Sequence, residues 1–313
     1  MSIKIGDLEI IVPIIQGGMG IRASMSGLAA AVANEGGIGC IAGTALPIEE
    51  LKAEIERAKK LVVNKGGALA VNIMFAATEF KEAVKTSIES GIDIIITGAG
   101  FSRDVYDMVK GTDVKVFPIV SSAKLAKLAE RLGADGIVVE GGNAGGHLGT
   151  EKDSWDIVAE VKKAVSIPVF GAGGVITPED GKRMLELGAD GIQMGSRFIA
   201  SEECEVSQEF KEMYIAAKEG DIVQIMSCAG LPANAIMSPT VKKILENSQD
   251  IKPKSCVNCL KHCSYSFCVN ERLVKGHEGD REEGIFFAGK DAWKIDSIKS
   301  VKEIMDDFKK IFK

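Results

Sequence analysis

The sequence predicts an α/β fold: a TIM-type (β/α)8 barrel with a helical, cysteine-containing insertion between the eighth strand and the eighth helix. Three observations predict it. Leu132-Gly133-Ala134-Asp135-Gly136-Ile137 recurs as Leu187-Gly188-Ala189-Asp190-Gly191-Ile192. Each copy reads as a helix end, a glycine turn and a buried parallel strand, so a βα unit repeats. Apolar runs near 12–16, 38–42, 68–73, 92–97, 114–120, 136–140, 167–171 and 190–194 supply the eight strands a closed barrel needs. Glycine gathers just after the last three of them, in GGNAGGHLG (141–149), GAGGV (171–175) and QMGSR (193–197), where backbone must approach a ligand.

The helices between these runs carry the 3.6-residue period, as in Leu51, Ile55 and Ala58 or Leu125, Leu128 and Leu132. Thr177 before Pro178 and Ser238 before Pro239 each place an N-cap and a first-turn proline. Past the eighth strand the expected helix is delayed until the amphipathic stretch that begins at Ser300. The barrel therefore takes 1–200 and 284–313, and 201–283 forms a lid over the C-terminal mouth, where connections after barrel strands emerge.

The 313 residues, 46% hydrophobic but only 5% aromatic and with 35 glycines, suit many short βα connections better than a β-sandwich. A net charge of −6 and a pI near 5.4 give no footprint for nucleic acid or an anionic membrane, so the expected partner is a small molecule. No signal peptide and no run of 18 apolar residues is present, which predicts a cytoplasmic protein.

At the mouth, the first strand ends in Gln16, Gly17, Gly18 and Met19, whose glycines let a flat ring lie against backbone. Asn72 closes the third strand with an amide that can donate and accept. The fourth ends in Thr97, Gly98, Ala99 and Gly100, small and open. After the seventh and eighth strands, Gly171, Gly173, Gly174, Gly195 and Ser196 form the loops on which such barrels bind phosphate through backbone N–H groups, and Arg197 is placed to add charge. Met19, Met74 and Met194 line a pocket or fill core. His147, between Gly145-Gly146 and Gly149, is the one histidine near a strand end and the acid/base candidate.

These segments carry a resemblance. PIIQGGMG (13–20), VNIM (71–74), TGAG (97–100), EGGNAGGHLG (140–149), GAGGV (171–175), QMGSRF (193–198) and GIFFAG (284–289) resemble, in order, the nitronate monooxygenase (2-nitropropane dioxygenase) family. That family is related to FMN-dependent enoyl-acyl-carrier-protein reductase II. The resemblance implies non-covalent FMN, its phosphate near Gly173, Gly174, Gly195 and Ser196 and its ring near Gly18, Met19 and Asn72. Glu140, Gly145, Gly146, Gln193 and Met194 fall in the matched cofactor segments. It implies His147 as the catalytic residue, a homodimer, and oxidation of nitronates or nitroalkanes by dioxygen to a carbonyl compound and nitrite.

Two alternatives stand beside it: an NAD(P)H-dependent flavin reductase of enoyl thioesters, and a barrel that binds a phosphorylated metabolite without flavin. Where the reductase pattern carries an acidic residue four positions before the histidine, this chain has Asn143. That weakens the reductase reading without excluding it, because Glu140 remains seven residues upstream of His147.

Cys256, Cys259, Cys263 and Cys268 fall within 13 residues. Their spacing suits a [4Fe–4S] cluster or zinc, with free or redox-reactive thiols as the other reading. His262, beside Cys263, is expected in solvent.

Overall fold

The computed structural model describes residues 2–98 and 100–312. The chain opens with a hairpin, β1 (Ile3–Ile5) and β2 (Leu8–Ile10), then alternates strand and helix. The first half runs β3 (Ile14–Gln16), α1 (Ser26–Asn34), β4 (Ile38–Ala42), α2 (Ile48–Leu61), β5 (Ala68–Met74), α3 (Phe80–Glu89), β6 (Ile94–Gly98), α4 (Asp104–Met108), β7 (Lys115–Val120) and α5 (Ala123–Leu132). The second runs β8 (Ile137–Glu140), β9 (Gly146–His147), α6 (Ser154–Ala164), β10 (Val169–Ala172), α7 (Pro178–Glu186), β11 (Gly191–Met194) and α8 (Ser196–Ile199). The remainder is α9 (Gln208–Ala216), β12 (Ile222–Met226), β13 (Pro232–Ile236), α10 (Pro239–Leu245), α11 (Val269–His277) and α12 (Val301–Lys309). Strands β3, β4, β5, β6, β7, β8, β10 and β11 close a parallel barrel, and all eight coincide with the predicted apolar runs to within two or three residues.

The repeated phrase explains itself in the barrel. Gly133 (φ +101°) and Gly188 (φ +100°) take the left-handed conformation that ends α5 and α7. The Asp135 carboxylate then accepts the Val116 N–H and that of Asp190 the Val169 N–H, both at 2.8 Å, fixing the start of the neighbouring strand. Asp93 does the same for Leu69 at 2.8 Å. The second glycine makes room inside: Phe117 and Phe170 meet in the barrel axis with ring centroids 5.8 Å apart. A Cβ at Gly191 would lie 2.5 Å from both the Phe170 ring and the Pro13 carbonyl. Since the carbonyl belongs to β-barrel backbone, Gly191→Ala is expected to cost about 1–3 kcal/mol, read as a lower urea midpoint at unchanged slope.

The helices begin where their caps predict. Thr177 and Asp180 form a capping box ahead of Pro178, Ser238 caps α10, and Ser300 with Glu303 forms a second box at α12. Helix α12 packs against α1 and α7, the place of the eighth barrel helix.

Two features depart from expectation. The N-terminal hairpin, absent from the predicted strands, plugs the barrel floor: Ile3, Ile5 and Ile10 join Ile15, Ile38, Ile94, Phe117 and Phe170 in one buried cluster. The insertion is not wholly helical. Strands β12 and β13 pair antiparallel, and β13 pairs on its other edge with β9, placing Ala233 opposite His147. Residues 232–236 are short and alternate weakly, and their partner in β9 lies more than 80 residues away, so pairing rather than local pattern decides their state. Among the described residues no helix is long and apolar enough to cross a membrane.

Candidate active site

The C-terminal ends of the strands open into a cavity of about 250 Å³, walled partly by barrel loops and partly by the insertion. Of the residues expected there, Gly17, Gly18, Met19, Asn72, Gly98, Glu140, Gly145, Gly146, His147, Gly173, Gly174, Gln193, Met194, Gly195 and Ser196 line it, with Met74. Ala99 lies outside the described residues.

Four expected residues are used differently. Gln16 is fully buried, its Oε1 accepting from the Cys40 N–H at 3.0 Å and its Nε2 donating to the Gly17 carbonyl, so it ties β3 to β4. Thr97 is buried within β6 and is not on the cavity wall. Gly171 faces outward, where a Cβ would lie 2.3 Å from Met184 Sδ, so its smallness serves the packing of α7. Arg197 supplies no charge to the cavity: its guanidinium is buried and donates to the Ala200 and Ser297 carbonyls at 2.7 and 2.6 Å. It pins the approach to α12.

The end of β3 packs closely against that of β5 at the cavity. A Cβ at Gly18 would lie 2.3 Å from Asn72 Cβ, so the glycine is what lets this turn close against the Asn72 side chain. The turn is fixed by Ser24, which exchanges hydrogen bonds with the Met19 backbone at 2.8 and 3.0 Å. Gln193 Oε1 is buried without a partner among the described residues, an acceptor left for a bound molecule. Gly173 (φ +103°) and Gly174 (φ +78°) lie beside Gly195 across the β10–β11 pair. No lysine or arginine lines the cavity among the described residues, so a phosphate would be met by neutral donors. These residues fit a flavin mononucleotide: the Gly17 and Gly18 backbone on the cavity wall for the ring, an unpaired polar acceptor at Gln193 and two adjoining glycine loops for the phosphate.

His147 sits on β9, and its Nε2 lies 2.8 Å from the Ser227 hydroxyl. The Phe287 ring meets it edge-on at 5.4 Å, and the Tyr214 hydroxyl holds the Phe287 carbonyl. Burial pushes the imidazole down to about 4, so it is uncharged at neutral pH. Burial pushes the Glu140 carboxyl up to about 8, so it too is uncharged there. Asp291, also on the wall, is paired with Lys294 at 3.0 Å. The cavity therefore holds a neutral imidazole and almost no unpaired charge.

The partner of His147 is a hydroxyl from the insertion, where the sequence pattern points to a carboxylate. Asn143 instead bonds Ser154 twice, at 3.0 and 3.1 Å, and Ser154 Oγ reaches the Gly173 carbonyl at 2.8 Å. It stitches the sixth and seventh loops together. Asn234, on β13, donates to the Gly142 and Ala144 carbonyls at 2.9 and 2.8 Å and shapes the loop before His147. Neither Ser227 nor Asn234 carries a local signal, because each acts on a loop about 80 to 90 residues away in sequence.

The cysteines converge in the insertion. Among the described residues no three His, Cys, Asp or Glu side chains are arranged to hold a metal ion. Two of the four expected ligand sulfurs accept local N–H groups: Cys268 Sγ caps α11 by accepting from the Glu271 N–H at 3.4 Å, and Cys256 Sγ accepts from that of Asn258 at 3.3 Å. His262 is exposed, as expected.

A closed barrel with adjoining glycine loops, an unpaired acceptor and a half-buried imidazole at one cavity defines a cofactor-dependent enzyme whose chemistry sits at the strand ends. The chain belongs to the nitronate monooxygenase family, whose profile matches residues 2–73 and 62–310. It is a flavin oxidoreductase of that type. It is 30% identical over 240 residues to the (3aS,4S,5R,7aS)-5-hydroxy-7a-methyl-1-oxo-octahydro-1H-indene-4-carboxyl-CoA dehydrogenase of Rhodococcus jostii, covering 77% of this chain and 66% of that one. It is 25% identical to a probable nitronate monooxygenase of Staphylococcus haemolyticus, over 96% and 93% of the two chains. The structure of FabK from Thermotoga maritima superposes with a TM-score of 0.87 at 34% identity, covering 97% and 93%.

Proposed function

We propose that this protein binds FMN and oxidises nitronates, and neutral nitroalkanes after removal of their α-proton, to a carbonyl compound and nitrite. The observation that carries the reading is the uncharged His147 imidazole, fixed by Ser227, facing a cavity with almost no unpaired charge. An anionic nitronate meets no unpaired carboxylate there while Glu140 is protonated, since Asp291 is paired with Lys294. FMN, when bound, would supply the two-electron redox chemistry with dioxygen as the final acceptor. The chain's own part is to floor the ring with Gly18 and Asn72, hold the phosphate on the Gly173 and Gly195 loops, and take the α-proton on His147.

The test is steady-state turnover of the purified yellow protein with a nitroalkane: oxygen uptake with nitrite release, and no oxidation of NAD(P)H, is the expected result. A second reading, NAD(P)H-dependent reduction of an enoyl thioester, is favoured by the 34% identity with FabK and by the CoA thioester named for the Rhodococcus relative. Asn143 does not count against it, since that side chain is a loop anchor. Rapid anaerobic flavin reduction by NADH with consumption of the enoyl thioester would select this reading. A protein unable to bind FMN would overturn both and leave the glycine loops to a phosphorylated metabolite.

A further inference from the structure

Five of the seven cysteines, Cys228, Cys256, Cys259, Cys263 and Cys268, surround one small cavity of about 20 Å³ in the insertion. Cys259, Leu260 and Val269 face both this cavity and the active-site cavity, so the two share a wall. Spacing alone does not group Cys228, in the connection between β12 and β13, with the other four, since 27 residues separate it from Cys256.

The five sulfurs are not equivalent. Those of Cys256 and Cys268 are engaged by the Asn258 and Glu271 N–H groups, and Cys259 by a backbone bond of its own. Cys228, whose sulfur also accepts from the Val269 N–H, and Cys263 hydrogen-bond to each other, thiol to thiol. Their backbones are tied as well, the Ser264 N–H donating to the Cys228 carbonyl at 2.8 Å, which holds the two segments side by side. Cys228 is buried, whereas Cys263 is half-buried and reachable from solvent.

We propose that Cys228 and Cys263 are a reversible dithiol–disulfide pair, oxidised by a low-molecular-weight disulfide. The outer thiol, Cys263, gives its proton to solvent and attacks one sulfur of the small disulfide. A mixed disulfide forms and one small thiolate leaves, taking up a proton. Cys228 then loses its proton and attacks Cys263 Sγ, forming the protein disulfide and expelling the second small thiol. Two protein thiols have lost two electrons and two protons, and the small disulfide has become two thiols. The bridge bears on the active site directly, because Cys228 follows Ser227, the residue that holds His147. Oxidation therefore locks the segment carrying the histidine's partner. The pair stands on the geometry of the insertion alone, whatever the substrate.

The experiment uses the full-length holoprotein, treated with oxidised glutathione, alkylated and digested without reductant for mass spectrometry. A linked Cys228–Cys263 peptide, loss of two alkylatable thiols per chain and recovery of both with dithiothreitol are expected. Cys263→Ser should abolish the link. Cys228→Ser should stop at a glutathione adduct on Cys263; if that buried position does not tolerate serine, the linked peptide and Cys263→Ser decide the matter. A link confined to Cys256, Cys259 and Cys268, adducts that never resolve in the wild type, or stoichiometric iron or zinc in the untreated protein with its thiols blocked would overturn the proposal.

Discussion

Replacing His147 by alanine is expected to lower turnover of a neutral nitroalkane by about 10²- to 10⁴-fold while FMN remains bound. The side chain is separable from the scaffold: the His147 backbone stays in its ladder opposite Ala233, and the loop before it is held by Asn234. The loss should shrink for a preformed nitronate, whose α-proton is already gone. Since burial holds the imidazole down to about 4, it is a free base through the neutral range, so kcat/KM should show no acid limb near 6.5. An equal loss for both substrates, or loss of flavin absorbance, would make the residue structural. The same shift has a sign for stability. The folded state binds fewer protons than the unfolded one between about 4 and 6.5, so this contribution is present above 6.5 and lost as pH falls towards 4.

Above about pH 8, affinity for an anionic nitronate is expected to fall as Glu140 ionises inside the cavity, by up to tenfold per pH unit. The cause is burial without a cationic neighbour: once charged, the carboxylate faces the substrate across low-dielectric space. Glu140→Gln keeps the shape and cannot ionise, so its KM should stay level where that of the wild type climbs. A wild-type KM that is flat through alkaline pH would remove Glu140 from the argument. For stability the sign is opposite to that of His147. The raised carboxyl makes the folded state bind more protons than the unfolded one, so its contribution is present below 4.5 and is lost as pH rises through about 8.

The barrel is legible in the sequence because its strands are buried on both faces and read as continuous apolar runs, and because its turns need glycine at fixed places. Gly133, Gly188 and Gly191 mark two units by their positions alone. Most of the cavity wall is legible for the same reason, since glycines at strand ends have few other uses. Smallness alone does not tell inside from outside, however, and Gly171 packs against Met184 instead of facing the ligand. Charge misleads at Arg197, whose carbonyl partner at Ser297 is close only in the fold. The hairpin of the insertion, Ser227 and Asn234 are hidden because each is defined by a partner far along the chain.

Strand β13 joins what catalyses to what encloses. The histidine is an edge residue of a sheet whose other members come from the cover of the cavity, and its ring rests on a hydroxyl supplied by that cover. Exchanging the cover between relatives to alter substrate choice would therefore re-aim the base in the same stroke. Recognition and reactivity are inherited here as a single part.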